Sequence, residues 1–233
     1  MIGPLDGPRR PPAAGGAPTS LVIFAHGYGS NGDDLISLAP VLARVLPHTA
    51  FVSPDAPEPV PGYPAGRQWF ALTRLDPLLL AQGARAAAGS LDRFIDAELA
   101  RHALPASACA LVGFSQGTMM SLQVGLRRLE PLAAVVGFSG ALVAPERLAA
   151  EARSRPPVLL CHGDADEVVP VHALAAARDA LASAGAGCRW RVSAGLPHSI
   201  DEAGLSAAAR FLRDAFDGRL TGWEGPAPLP RRT

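Results

Sequence analysis

The sequence predicts an open α/β sheet, mostly parallel, with helices on both faces. Two observations carry that expectation. Short apolar runs at residues 21–25, 50–53, 109–114, 133–138, 158–161 and 190–192 are rich in Val, Leu, Ile, Phe and Ala with little polar alternation, the pattern of strands buried on both faces. Segments with helical apolar spacing lie between them. Leu91, Phe94, Ile95 and Leu99 share one helical face, with Asp92, Arg93, Asp96 and Glu98 opposite. Residues 171–183 and 201–216 read the same way, the latter with Leu205, Ala208, Phe211, Leu212 and Ala215 in register. Strand and helix in alternation imply parallel strands joined by right-handed crossovers. In such sheets the ligand site lies at the carboxyl ends of the strands.

Composition narrows the function. A chain of 233 residues, 48% hydrophobic and 18% charged, is globular and long enough to bury a core without disulfides. Residues 1–18 and 218–233 are rich in Pro and Gly, and read as extensions of a single domain at 19–217. The 21 basic residues balance the 21 acidic ones, so no overall field favours nucleic acid. Every basic residue is Arg. The absence of Lys excludes Schiff-base chemistry and a Walker-type phosphate loop. Cys109, Cys161 and Cys188 are odd in number and lack a metal-ligand spacing, so they are expected as reduced core residues of a cytoplasmic protein. Residues 1–20 lack the apolar segment of a signal peptide, and no apolar stretch is long enough to span a bilayer.

In chain order, the first apolar run leads into His26-Gly27-Tyr28-Gly29-Ser30-Asn31-Gly32, a glycine loop suited to close backbone approach. The second leads into a long, Pro-rich segment, 54–77, without regular periodicity. Within it Trp69 and Phe70 are candidates to line an apolar acyl pocket or to pack beneath the loop, and Arg67 is expected at the surface. The third run ends in Gly113-Phe114-Ser115-Gln116-Gly117. Placed between a strand and a helix, G-x-S-x-G forms a sharp turn that lifts the serine hydroxyl to the top of the sheet, as in α/β-hydrolases. The helix start also aims free N–H groups at a developing oxyanion. Gly137-Phe138-Ser139-Gly140 lacks the second glycine, and Ser139 is expected as a turn residue.

An activated serine needs a base, and the base an orienting carboxylate, in the chain order Ser, Asp or Glu, His. After the fifth run stands His162-Gly163-Asp164-Ala165-Asp166-Glu167, and after the sixth Gly195-Leu196-Pro197-His198-Ser199. His198 satisfies order, loop position and strand-end context. Spacing leaves Asp164 and Asp166 both open as its partner, the other being free to cap the helix near Val171. The oxyanion donors are expected from Gln116 and from the 26–32 loop.

Taken together, these segments resemble the phospholipase/carboxylesterase family, which includes the acyl-protein thioesterases. The likeness rests on Phe24-Ala25-His26-Gly27-Tyr28-Gly29, Trp69-Phe70, Gly113-Phe114-Ser115-Gln116-Gly117, His162-Gly163-Asp164-Ala165-Asp166 through Val169-Pro170, and Leu196-Pro197-His198-Ser199-Ile200. It implies an α/β-hydrolase fold with little or no lid, a triad of Ser115, Asp166 and His198, and oxyanion donors at Tyr28 and Gln116. It further implies no metal, no cofactor, a small-molecule ester or thioester as substrate, and the homodimers common in the family. Ala71 departs from the Asp that many members carry after Trp-Phe, and Glu167 from a frequent Pro. Both departures bear on substrate range. The expected function is carboxylester or acyl-thioester hydrolysis through an acyl-enzyme. The alternative is a catalytically silent acyl-binding module on the same fold.

Overall fold

The computed structural model describes residues 4–72 and 76–220. The strands are β1 (Arg9–Arg10), β2 (Ser20–Ala25), β3 (Thr49–Val52), β4 (Glu58–Val60), β5 (Tyr63–Gln68), β6 (Cys109–Phe114), β7 (Ala134–Phe138), β8 (Val158–Gly163) and β9 (Cys188–Ser193). The α-helices are α1 (Gly32–Leu35), α2 (Ala39–Ala43), α3 (Pro77–His102), α4 (Gln116–Gly125), α5 (Leu148–Glu151), α6 (His172–Ser183) and α7 (Glu202–Phe216). Seven strands form one sheet in the order β1-β3-β2-β6-β7-β8-β9, while β4 and β5 form a separate hairpin. All pairings in the main sheet are parallel except β1 with β3.

Each apolar run of the sequence lies within or overlaps a strand, because buried parallel strands present apolar residues to both layers. On one face, Leu21 and Ile23 of β2 meet Leu91, Phe94 and Ile95 of α3 and Met119 and Met120 of α4. Further along that face, Val135, Val158 and Leu160 meet Leu148 of α5 and Leu174 and Leu181 of α6. On the other face, Val22, Phe24, Val112 and Val136 meet Leu35 of α1, Leu42 of α2, and Leu205, Phe211 and Leu212 of α7. Fully burying each such side chain contributes roughly 1.5–3 kcal/mol, so the sheet is a rigid floor for the loops at its carboxyl edge.

Three features differ from the expectation. First, α3 begins at Pro77, well before the amphipathic stretch. Asp76 caps it by accepting the Leu78 and Leu79 amides at 2.8 and 3.1 Å, and Pro77 occupies the first turn, where its missing N–H costs nothing. Second, part of the Pro-rich 54–77 segment is the β4–β5 hairpin, turned at Gly62 with φ +78°. Its residues do not alternate, so periodicity could not reveal it. Third, residues 4–18, expected as an extension, are built into the fold. Arg9 and Arg10 pair with Val52 and Phe51. The Arg9 guanidinium grips the carboxylate of Glu98 on α3 with bonds of 2.7 and 3.2 Å. A short edge strand held by a long-range ion pair leaves no local signature. Of the C-terminal segment 218–233, residues 221–233 lie outside the described residues.

The Glu98 side chain is 2% exposed, and Arg101 donates to it at 3.1 Å. Removing one partner of a buried charge leaves it undercompensated. Arg9→Ala is expected to lower the unfolding free energy by about 2 kcal/mol, since Arg101 remains. A residue on a loose extension would change it by less than about 0.5 kcal/mol. Urea denaturation of the two proteins distinguishes the cases.

Candidate active site

β6 delivers Ser115 to the top of the sheet, and α4 starts immediately after it. Its backbone has φ 54° and ψ −117°, a conformation that costs a non-glycine residue about 1–3 kcal/mol. Three backbone bonds hold it there. The Ser115 amide donates to the Phe138 carbonyl of β7 at 2.9 Å, and the Ser115 carbonyl accepts the Thr118 and Met119 amides at 3.0 and 3.3 Å. Thr118 Oγ1 also donates to this junction, lying 2.9 Å from both the Gly113 and Phe138 carbonyls. A Cβ at Gly117 would stand 1.8 Å from the Ala25 carbonyl oxygen, so only glycine lets the helix pass this close to β2.

The His198 loop, residues 194–200, follows β9 and is tethered on several sides. His198 Nδ1 lies 2.8 Å from Asp166 Oδ2. The Asp164 carboxylate accepts the Gly195 amide at 2.6 Å, and Ala165 donates to the Leu196 carbonyl at 3.1 Å. Ser193 Oγ reaches Asp201 Oδ2 across the loop's base at 2.7 Å. Ser139, also left-handed at φ 46°, donates from Oγ to the Ser199 carbonyl at 3.3 Å. Of the two candidate carboxylates, then, it is Asp166 that meets His198, while Asp164 braces the loop. Neither caps α6, whose N-terminus has no side-chain cap.

Asp166 is buried, and its Oδ1 accepts the Val168 and Val169 amides at 2.9 and 2.8 Å. Burial alone would raise its pKa. The bonds from His198, Val169 and Val168 outweigh that and hold the carboxyl below the usual aspartate range. The His198 ring packs on Phe114, the neighbour of Ser115, with centroids 4.9 Å apart. Among the described residues the Ser115 hydroxyl makes no hydrogen bond to His198. In substrate-free sites such bonds are often long and tighten on binding.

Tyr28 lies in the loop that crosses the Ser115 turn. A Cβ at Gly27 would come within 3.4 Å of Ser115 Cβ and 3.1 Å of the Phe114 ring. Gly29 donates to the Arg67 carbonyl at 2.9 Å, and Arg67 returns its amide to Ser30 at 2.7 Å. The Arg67 side chain, expected at the surface, instead donates to the Ala56 and Pro57 carbonyls at 2.8 and 3.1 Å. Gln116, the first residue of α4, has a backbone N–H with no acceptor inside the helix. Its buried side chain accepts the Trp69 amide at 2.9 Å and donates to the Phe70 carbonyl at 2.7 Å. Trp69 and Phe70, candidates for an acyl pocket, are 1% and 5% exposed and pack in the core. Trp69 Nε1 donates to the His26 carbonyl at 2.9 Å. These side-chain clamps escaped sequence reasoning because each joins segments 10 to 47 residues apart.

Burial pushes the thiols of Cys109, Cys161 and Cys188 up to about 12, which leaves no thiolate to compete as nucleophile. Among the described residues no cluster of His, Cys, Asp and Glu is arranged to hold a metal, and no helix is long and apolar enough to cross a membrane.

Comparison with known proteins shows the family and the fold. A sequence model of the phospholipase/carboxylesterase family matches residues 13–215. Esterase YpfH of Escherichia coli is 29% identical over 208 residues, 87% of this chain and 88% of that one. Acyl-protein thioesterase 1 of Mycosarcoma maydis is 33% identical over 180 residues, 68% and 73% of the two chains. Among solved structures, esterase PE8 has a TM-score of 0.87 at 45% identity, covering 91% of this chain and 99% of that one. Zea mays acyl-protein thioesterase 2 has a TM-score of 0.73 at 25% identity, covering 90% and 99%.

Two outcomes are expected from this geometry. Gly117→Ala forces β2 and α4 apart and should destabilise the protein by about 3 kcal/mol or more, measurable as a lowered urea midpoint. His26 is buried, its Nε2 accepts the Ala56 amide at 2.9 Å, and its Nδ1 lies 2.8 Å from the Gly27 carbonyl. Burial therefore holds its pKa below the ordinary histidine value. The unfolded chain takes up this proton near about pH 6.5, the native state only at lower pH. The stability due to neutral His26 is thus complete above that pH and falls as the solution is acidified. Between about pH 7 and 5.5 the wild type should lose more stability than His26→Gln, which keeps an acceptor but cannot titrate, as read from urea denaturation at the two pH values.

Proposed function

For this chain, which belongs to the phospholipase/carboxylesterase family and has the α/β-hydrolase fold, we propose a serine-hydrolase mechanism run by Ser115, His198 and Asp166. Ester or thioester hydrolysis is the chemistry of its relatives and of this chain. The observation that carries the residue assignment is the left-handed turn of Ser115 at the N-terminus of α4, with a carboxylate-bound imidazole packed beside it.

The substrate carbonyl sits above Ser115, and His198 Nε2 removes the hydroxyl proton as Oγ attacks the acyl carbon. Asp166 holds Nδ1 protonated and supports the imidazolium that forms. The Tyr28 and Gln116 amides, with the α4 terminus behind them, bind the oxyanion of the tetrahedral intermediate. His198 then protonates the departing alcohol or thiol. Water, activated by the same imidazole, releases the acid and restores Ser115. The substrate is a small-molecule ester or thioester. The same fold and family include both, and the machinery treats both leaving groups alike.

Intact-mass analysis after treatment with a fluorophosphonate tests the nucleophile. The wild type should gain one adduct and folded Ser115→Ala none, and the variant's esterase rate should fall by at least about 1,000-fold. A folded wild type that takes up no adduct would favour a silent acyl-binding module. Undiminished turnover by Ser115→Ala would remove Ser115 from the mechanism.

A further inference from the structure

Asp166 has a second imidazole beside it. His162 stands at the end of β8, 3% exposed, and has no part in the proposed triad. We propose that His162 is a positioning residue that holds Asp166 in the orientation His198 requires. This rests on the triad assignment above.

The geometry is specific about the proton. His162 Nε2 lies 2.7 Å from the Val169 carbonyl oxygen. A carbonyl only accepts, so Nε2 carries the hydrogen. The same Nε2 lies 3.3 Å from Asp166 Oδ2, the oxygen that meets His198 Nδ1. One N–H therefore serves Val169 first and leans on Oδ2 second. Val169 is in turn held from both sides, its carbonyl by His162 and its amide by Asp166 Oδ1 at 2.8 Å. The turn from 166 to 169 is thus closed onto the strand end, and both carboxylate oxygens have fixed directions. Oδ1 is taken by the Val168 and Val169 amides, which leaves Oδ2 facing the two histidines.

Without the His162 donor, the buried Val169 carbonyl is unpaired and the turn is free to rotate. Oδ2 then drifts from His198 Nδ1, and the base loses its tautomer and its angle. Misplacement on this scale acts on the chemical step and leaves substrate binding intact.

Steady-state kinetics on p-nitrophenyl butyrate provide the test, with folding checked by circular dichroism. His162→Leu fills the space without a donor and should lower kcat roughly 10- to 100-fold with KM within about twofold. His162→Gln carries an amide N–H near the position of Nε2 and should recover kcat to within about threefold of wild type. In an Asp166→Ala background, His162→Leu should cost less than about twofold more, because the group it positions is gone. Should His162→Leu not fold, His162→Asn replaces it, since its shorter amide falls short of Val169. A folded Leu or Asn variant with wild-type kcat overturns the proposal. So does a full additive loss in the Asp166→Ala background. If Asp166→Ala alone leaves kcat unchanged, the triad assignment fails first and takes the proposal with it.

Discussion

Where β6 gives way to α4 there is no room for a side chain two residues before Ser115 or two residues after it. A Cβ at position 113 would lie 2.4 Å from the Gly117 carbonyl, and one at 117 would meet β2. The chain can reverse from strand to helix in so short a space only if the residue between takes up a left-handed conformation. That residue is a serine, strained on the scale of a whole hydrogen bond or more. Its strain is held by the neighbouring strand, since Phe138 accepts the Ser115 amide. The turn therefore depends on the parallel register of β6 with β7, and the site's position depends on the turn.

Two hydrogen-bonded assemblies then converge on this point from opposite sides. On one side, the loop bearing Tyr28 is fixed by Arg67, and Arg67 by the carbonyls of Ala56 and Pro57. Ala56 also donates to His26 Nε2, and Trp69 to the His26 carbonyl. On the other side, Asp164, Ala165, Asp201 and Ser139 brace the loop bearing His198. Neither assembly shares a side chain with the other. What joins them is the backbone at residues 113–118 and the Gln116 side chain, which reaches the Trp69 amide and the Phe70 carbonyl. In the proposed mechanism, donors held this firmly need no reorganisation when charge develops, which is where electrostatic catalysis gains most.

Much of this was legible in the sequence, for identifiable reasons. The buried strands announced themselves because both faces are covered, and the strand-end positions of Ser115 and His198 because each follows such a strand. What spacing could not separate was Asp164 from Asp166. Both lie in one strand-end turn, and only the path of the 194–200 loop decides which side chain meets the imidazole and which the Gly195 amide. The N-terminal strap was misjudged because what ties it to the domain is long-range, chiefly its pairing with β3 and the Arg9 guanidinium on Glu98. The hairpin of β4 and β5 was hidden by its prolines. Gln116 was read for its backbone alone, although its amide side chain is what ties the helix start to the indole segment.

The three histidines at the carboxyl edge of the sheet differ in environment, and it is environment, not residue type, that favours His198 as the proposed base. A general base must keep a lone pair available to the reacting proton. His26 has none to offer. Its Nε2 lone pair is spent on the Ala56 amide, and its Nδ1 faces the Gly27 carbonyl. His162 has committed Nε2 as a donor to the Val169 carbonyl and is almost wholly buried. His198 differs in two respects: it is Nδ1 that is committed, to Asp166, and its side chain is 19% exposed. With Nδ1 protonated by that partnership, the lone pair belongs to Nε2, on the side of the ring away from Asp166. The same imidazole chemistry thus gives a loop anchor, a turn clamp and, in the proposed mechanism, a proton acceptor, according to which nitrogen the fold has already used.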